Sequence, residues 1–97
     1  MAIGDVVSAH TNILNGLFLT IQPSGSAQWG IQNLYVPAGV ECEFYRTDGT
    51  NDILLFSLTD TIQFSQPFNP TNTIYFKLKN VSGSSAYLGY DAKISKV

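Results

Sequence analysis

Apolar residues recur at every second position over much of this chain, the spacing that places them on one face of a β-strand. Leu17, Leu19 and Ile21 alternate with Phe18, Thr20 and Gln22 as far as Pro23, which lacks a backbone donor and ends the strand. After the turn Ser24-Gly25-Ser26, residues 27–36 return with Trp29, Ile31, Asn33 and Tyr35 on one face, so residues 17–36 predict a hairpin. Pro37-Ala38-Gly39 leads into a second one. Its first arm alternates Val40, Cys42 and Phe44 against Glu41, Glu43 and Tyr45; its turn is residues 47–52; its second arm, residues 53–59, opens with Ile53-Leu54-Leu55-Phe56. An arm apolar at consecutive positions predicts a strand in the middle of a sheet, covered on both faces. The hairpin of residues 40–59 is therefore the expected centre of the fold.

The remaining chain continues the pattern. A short strand is expected around residues 62–64, followed by a loop over residues 66–72 stiffened by Pro67 and Pro70. Ile74, Phe76 and Leu78 alternate with Tyr75, Lys77 and Lys79, which gives a strand with one wet face, and Ala86, Leu88, Tyr90, Ala92 and Ile94 share a face of a last strand. No stretch fits a helix of several turns, because period two dominates and chain breakers recur about every 10 residues. The expected fold is all-β: a compact antiparallel sandwich, jelly-roll-like, of about seven or eight strands. Residues 1–97 form a single domain. Within it, residues 1–16 carry no sustained period apart from a short strand at residues 5–9, and read as an N-terminal arm.

Composition narrows the function classes. Charged residues are 12% of the chain, against roughly 25% in an ordinary soluble domain. Between Asp5 and Glu41 there is no Asp, Glu, Lys or Arg at all. Polar uncharged side chains or a neighbouring subunit must cover that surface, since exposed strands are ordinarily guarded by charge, proline or bulges. A net charge of −2 gives no electrostatic reason to bind nucleic acid, which selects clustered Lys and Arg. The first residues show neither the basic region nor the apolar run of a signal peptide, no segment approaches the ~20 apolar residues of a membrane helix, and synthesis in the cytoplasm is expected.

Candidate chemistry is sparse. His10 and Cys42 are the single histidine and the single cysteine; a zinc site needs three or four converging ligands, so His10 reads as a surface residue and Cys42 as a buried thiol. Asp48, Asn51 and Asp52 resemble oxygen ligands for calcium but lack the spacing of a binding loop, and Asp-Gly in a tight hairpin explains them equally. Glu41 and Glu43 lie two apart on one strand face rather than across a substrate. No catalytic, cofactor or metal site is expected, and the chain is read as a non-enzyme. Trp29 reads as a core anchor, with a sugar-stacking platform as its alternative.

The succession Ile3-Gly4-Asp5, Leu19-Thr20-Ile21-Gln22-Pro23, Trp29, Tyr45 with Asp48-Gly49-Thr50-Asn51, Thr71-Asn72 with Tyr75, Lys79-Asn80, and Gly89-Tyr90-Asp91 resembles small β-rich proteins of tailed-phage virions, in order and spacing over nearly the whole chain. That resemblance implies a head decoration or cement protein that binds across subunits of the major capsid protein and stabilises the shell, and a homo-oligomer, most often a trimer, located in the virion. Ile3, Val6, Val7, Ile13 and Leu14 are more apolar than a discarded tail needs, which makes them candidate interface residues. The rival readings are a phage tail or baseplate component, or a carbohydrate-binding module or adhesin domain using Tyr35, Tyr45, Tyr75 or Tyr87 as stacking surfaces.

Overall fold

The computed structural model describes residues 2–97, apart from the side chains of Gln66 and Pro67. Eight strands follow one another: β1 (Val6–Ile13), β2 (Phe18–Ile21), β3 (Gln28–Tyr35), β4 (Cys42–Thr47), β5 (Asp52–Leu58), β6 (Ile62–Phe68), β7 (Tyr75–Asn80) and β8 (Ala86–Lys96). They form two four-stranded antiparallel sheets, ordered β1-β8-β3-β6 and β2-β7-β4-β5. The chain is all-β, as its periodicity predicts, and the two sheets enclose one core.

The pairing is nested. β4 pairs with β5, β3 with β6, β2 with β7 and β1 with β8, so the chain runs as a long double ribbon whose tip is the turn after Thr47. That turn is built from its own residues. Asp48 accepts hydrogen bonds at Oδ1 from the backbone amides of Thr50 (2.9 Å) and Asn51 (2.7 Å), and Gly49 takes φ +95°, a conformation glycine adopts without a Cβ penalty.

Leu19, Ile21, Ile31, Leu34, Val36, Cys42, Phe44, Leu58, Phe76, Leu78, Leu88, Tyr90 and Ala92 form the core cluster. Five of the six phenylalanines meet there, with Phe44 at the middle and Phe56, Phe64, Phe68 and Phe76 around it at centroid distances of 5.2 to 6.1 Å. Cys42 is fully buried and burial pushes its thiol up to about 11. Since the thiolate is the reactive form, Cys42 is expected not to react with a thiol reagent at neutral pH in the native protein and to react fully once denaturant unfolds it. Stoichiometric labelling of native protein within minutes would contradict that burial.

Four local expectations need correction. The segment from Ile53 is not a central strand: β5 pairs only with β4 and is an edge of its sheet. The register of β4 and β5 shifts between Phe44 and Tyr45, where Phe56 and then Leu54 are the partners and Leu55 is skipped. Such a bulge breaks the inward-outward alternation, and Ile53, Leu54 and Leu55 all reach solvent. The hairpin of residues 17–36 does not form, because β2 and β3 lie in different sheets. Their connection is a corner held by Gln22 Nε2 donating to Asn72 O (2.8 Å) and Asn72 Nδ2 donating to Pro23 O (3.2 Å). On β3 a register shift between Ile31 and Asn33 turns Leu34 and Val36 inward, so Asn33 and Tyr35 do not share the face of Trp29 and Ile31. Finally, β6 runs to Phe68, so the loop expected from residue 66 begins at Asn69.

Of residues 1–16, Val6–Ile13 form β1, paired to β8 along its whole length. Val7 and Ile13 pack against the core, whereas Ile3, Val6 and Leu14 are exposed.

Candidate binding surfaces

The strand order brings two surfaces together that no local stretch contains. The first is the outer face of the sheet β1-β8-β3-β6. In its register His10, Gly89 and Tyr35 form one row across β1, β8 and β3, and Ser8, Asp91 and Asn33 form the next. A Cβ at position 89 would stand 2.6 Å from Ala9 O and 3.1 Å from His10 Nδ1. Glycine there lets the His10 ring lean over β8, where it stacks on Tyr87 with centroids 5.5 Å apart and planes 10° from parallel. Tyr87 remains 58% exposed. Beside these rings opens a cavity of about 310 Å³, lined by His10, Tyr35, Val36, Pro37, Thr61 and Tyr87.

The polar row beneath fixes the Tyr35 hydroxyl. It donates to Asp91 Oδ2, and the Ser8 hydroxyl donates to Asp91 Oδ1 at 2.6 Å. Hydrogen bonds from Ser8 and then Tyr35 hold the Asp91 carboxyl below the usual carboxylate range, and the same bond to Asp91 pushes the Tyr35 phenol up. The phenol therefore stays protonated, with its proton committed to Asp91 and its oxygen free to accept from outside.

The second surface is the free edge of β5. Ile53, Leu54 and Leu55 are 54%, 48% and 37% exposed, three consecutive aliphatic side chains. On the outer face of the same sheet, Lys77 Nζ lies 4.2 Å from the centroid of the Phe18 ring, Phe18 meets Tyr45 edge to face at 5.9 Å, and Lys77 also pairs with Asp52 at 3.0 Å.

The other candidates are distributed as follows. Glu43 accepts from the Tyr45 hydroxyl at 2.6 Å, and Glu41 is exposed before β4 begins, so the two carboxylates frame no cleft. The carboxyl of Asp48 is held low by the backbone amides of Asn51 and Thr50, so both turn geometry and charge of the candidate calcium loop are accounted for within the turn. Among the described residues no group of three or more His, Cys, Asp or Glu side chains converges. Trp29 stacks on Tyr90 at 6.3 Å against the core. Of the four candidate stacking tyrosines, Tyr35 and Tyr87 share the first surface, while Tyr45 and Tyr75 lie in the opposite sheet region. A comparison with protein-family models gives no match, and neither does a comparison with curated proteins.

Proposed function

We propose that this chain is a non-enzymatic structural subunit of a tailed-phage virion, a decoration or cement protein that binds across capsid subunits as a homo-oligomer, a trimer in the first instance. The observation that carries the proposal is the edge of β5, where three adjacent aliphatic side chains, Ile53, Leu54 and Leu55, stand open beside the strand's one charge, Asp52, and lead into the phenylalanine core at Phe56. A long apolar edge is an invitation to pair with another chain, and a protein that keeps one needs a partner to cover it. The bulge at Leu55 disfavours unlimited edge-to-edge addition and suits a side-chain contact with a defined partner. Support also comes from the low charge and from the likeness in sequence to small virion proteins. The nested strand order in two facing sheets is compatible with a jelly roll, an architecture that viral capsid domains use. Repeating one weak contact around a symmetric shell turns it into durable attachment.

The test replaces Leu54 and Leu55 by Asp together. Both are exposed, so the variant is expected to keep the wild-type melting temperature within a few degrees, to sediment as a monomer where the wild type is a trimer, and to lose occupancy on purified particles by about 10-fold or more, the equivalent of roughly 1.4 kcal/mol per subunit. A wild type that is monomeric at tens of micromolar and absent from particles would sink the proposal.

A further inference from the structure

We infer that the outer face of β1-β8-β3-β6 is a binding site for a neutral pyranose saccharide, with Tyr87 and His10 as the stacking platform and Tyr35 as the polar contact. The inference stands apart from the virion proposal, since it uses the opposite sheet.

The shape comes first. A cavity of about 310 Å³ is at the lower end of ligand-site volumes and takes one sugar ring rather than a long chain. Its two rings lie within 10° of parallel with centroids 5.5 Å apart, so they form a stack rather than a box of rings at right angles. The apolar C–H face of a pyranose can extend a stack of this kind, and Tyr87, at 58% exposure, is an aromatic side chain left largely open to water.

The polar chemistry selects the same class. The Tyr35 hydroxyl donates to Asp91 and keeps its proton, which leaves its oxygen as an acceptor. The two ring nitrogens of His10 add further hydrogen-bonding positions. Adjacent hydroxyls of a sugar, each able to donate and accept, satisfy such a pair. The lining holds no Lys or Arg, and Asp91 sets a negative potential close by, so phosphate, sulfate and sialic acid are disfavoured. A quaternary ammonium would want the rings to enclose it, which they do not. Asp91 and Ser8 act as positioning residues: they hold the Tyr35 hydroxyl rather than line the cavity.

Binding is tested by saturation-transfer NMR on the full chain with three probes at millimolar concentration, methyl β-galactoside, methyl α-glucoside and N-acetylglucosamine, and with choline as a fourth. At least one sugar is expected to give transfer that saturates, in the weak range typical of a single ring. Tyr87→Ala, at an exposed position, is expected to weaken it by about 10-fold or more with the melting temperature kept, the size of one lost stacking contact. Tyr35→Phe removes only the hydroxyl and is expected to weaken it several-fold; this variant carries the test if Tyr87→Ala does not fold. No transfer from any of the three sugars, transfer from choline alone, or sugar binding unchanged in both variants would each overturn the assignment. None of these results bears on sedimentation or particle occupancy, so the two proposals fail separately.

Discussion

Replacing Phe44 by alanine is expected to lower stability by about 3–5 kcal/mol, the range for truncating a fully buried aromatic side chain, and the melting temperature by roughly 12–40 °C at about 4–8 °C per kcal/mol for a domain of this size. Phe44 has no solvent exposure and is the ring that Phe56, Phe64, Phe68 and Phe76 all touch, with Phe76 parallel to it within 5° at 5.4 Å. Those neighbours come from three other strands in both sheets, so the hole cannot be closed by moving one of them. Domains of this kind are stable by only about 5–15 kcal/mol, which makes the expected loss a large fraction of the whole. Phe44→Leu keeps most of the volume and should cost roughly 1–2 kcal/mol. Thermal or urea denaturation followed by circular dichroism measures both; a cost for Phe44→Ala under about 1 kcal/mol would show that the sheets are not held through this ring.

What the chain's pattern reveals is the strands, and what it hides is their neighbours. Alternation identifies β2, β4, β7 and β8 because each has one apolar face and the period is local. The turn at Asp48-Gly49 is equally local, and the pairing of β4 with β5 follows from it. The partners of β2 and β3 are another matter. Residues 22–27 contain Pro, Ser and Gly, as a hairpin turn does, but a corner between sheets uses the same residues, and only the bonds between Gln22, Pro23 and the distant Asn72 separate the two. Four consecutive apolar residues from Ile53 predict cover on both sides; with the bulge at Leu55, Ile53, Leu54 and Leu55 stand open at an edge and only Phe56 packs against the core. Nothing in a single sequence distinguishes apolar residues covered by their own domain from those kept for another chain.

The face proposed to bind a saccharide is legible in the sequence only in fragments. Tyr35 and Tyr87 stand out as aromatics in an uncharged chain, and His10 as its one histidine. Their convergence depends on β8 lying between β1 and β3 with His10, Gly89 and Tyr35 in register, contacts that span most of the chain. Gly89 carried a signal of its own: a glycine inside an otherwise regular strand marks a close approach. Here that approach is the Ala9 carbonyl and the His10 ring.

Asn80 is the second residue on which a large effect is expected, and its chemistry is not visible as a pattern at all. It is fully buried at the end of β7. Its Nδ2 donates to Ile13 O and Ser84 O, both at 2.8 Å, and its Oδ1 accepts from Ser82 N (3.0 Å) and Ser82 Oγ (2.7 Å). Backbone bonds from Gly16 N to Asn80 O (2.7 Å) and from Asn80 N to Leu17 O (3.1 Å) complete the junction. One side chain thus satisfies the polar groups where the β1–β2 and β7–β8 connections meet. Asn80→Ala removes the side-chain donor to Ile13 O and the acceptor of Ser82 N, while Ser84 O keeps Ser82 Oγ within reach at 2.9 Å; at about 1–3 kcal/mol for each buried group left unpaired, it is expected to cost roughly 2–4 kcal/mol in total because water recovers part of it. Asn80→Asp has nearly the same shape and decides between packing and bonding. Its carboxylate would aim an acceptor at two carbonyl oxygens, so at neutral pH it should be at least as damaging as alanine. Ser82 would still donate to one oxygen of such an acid, but full burial and the two carbonyl oxygens facing the other are expected to outweigh that and raise its folded pKa above its unfolded value near 3.9. A raised pKa means stability that is present below the unfolded pKa and lost as pH rises through the folded one. Asn80→Asp is therefore expected to recover toward the wild type as pH falls from 7 to 4, where the protonated acid supplies one O–H donor. Melting temperatures of wild type and variant across that interval give the answer, and an Asn80→Asp protein as stable as wild type at pH 7 would mean that the Ile13 and Ser84 carbonyls do not depend on this side chain.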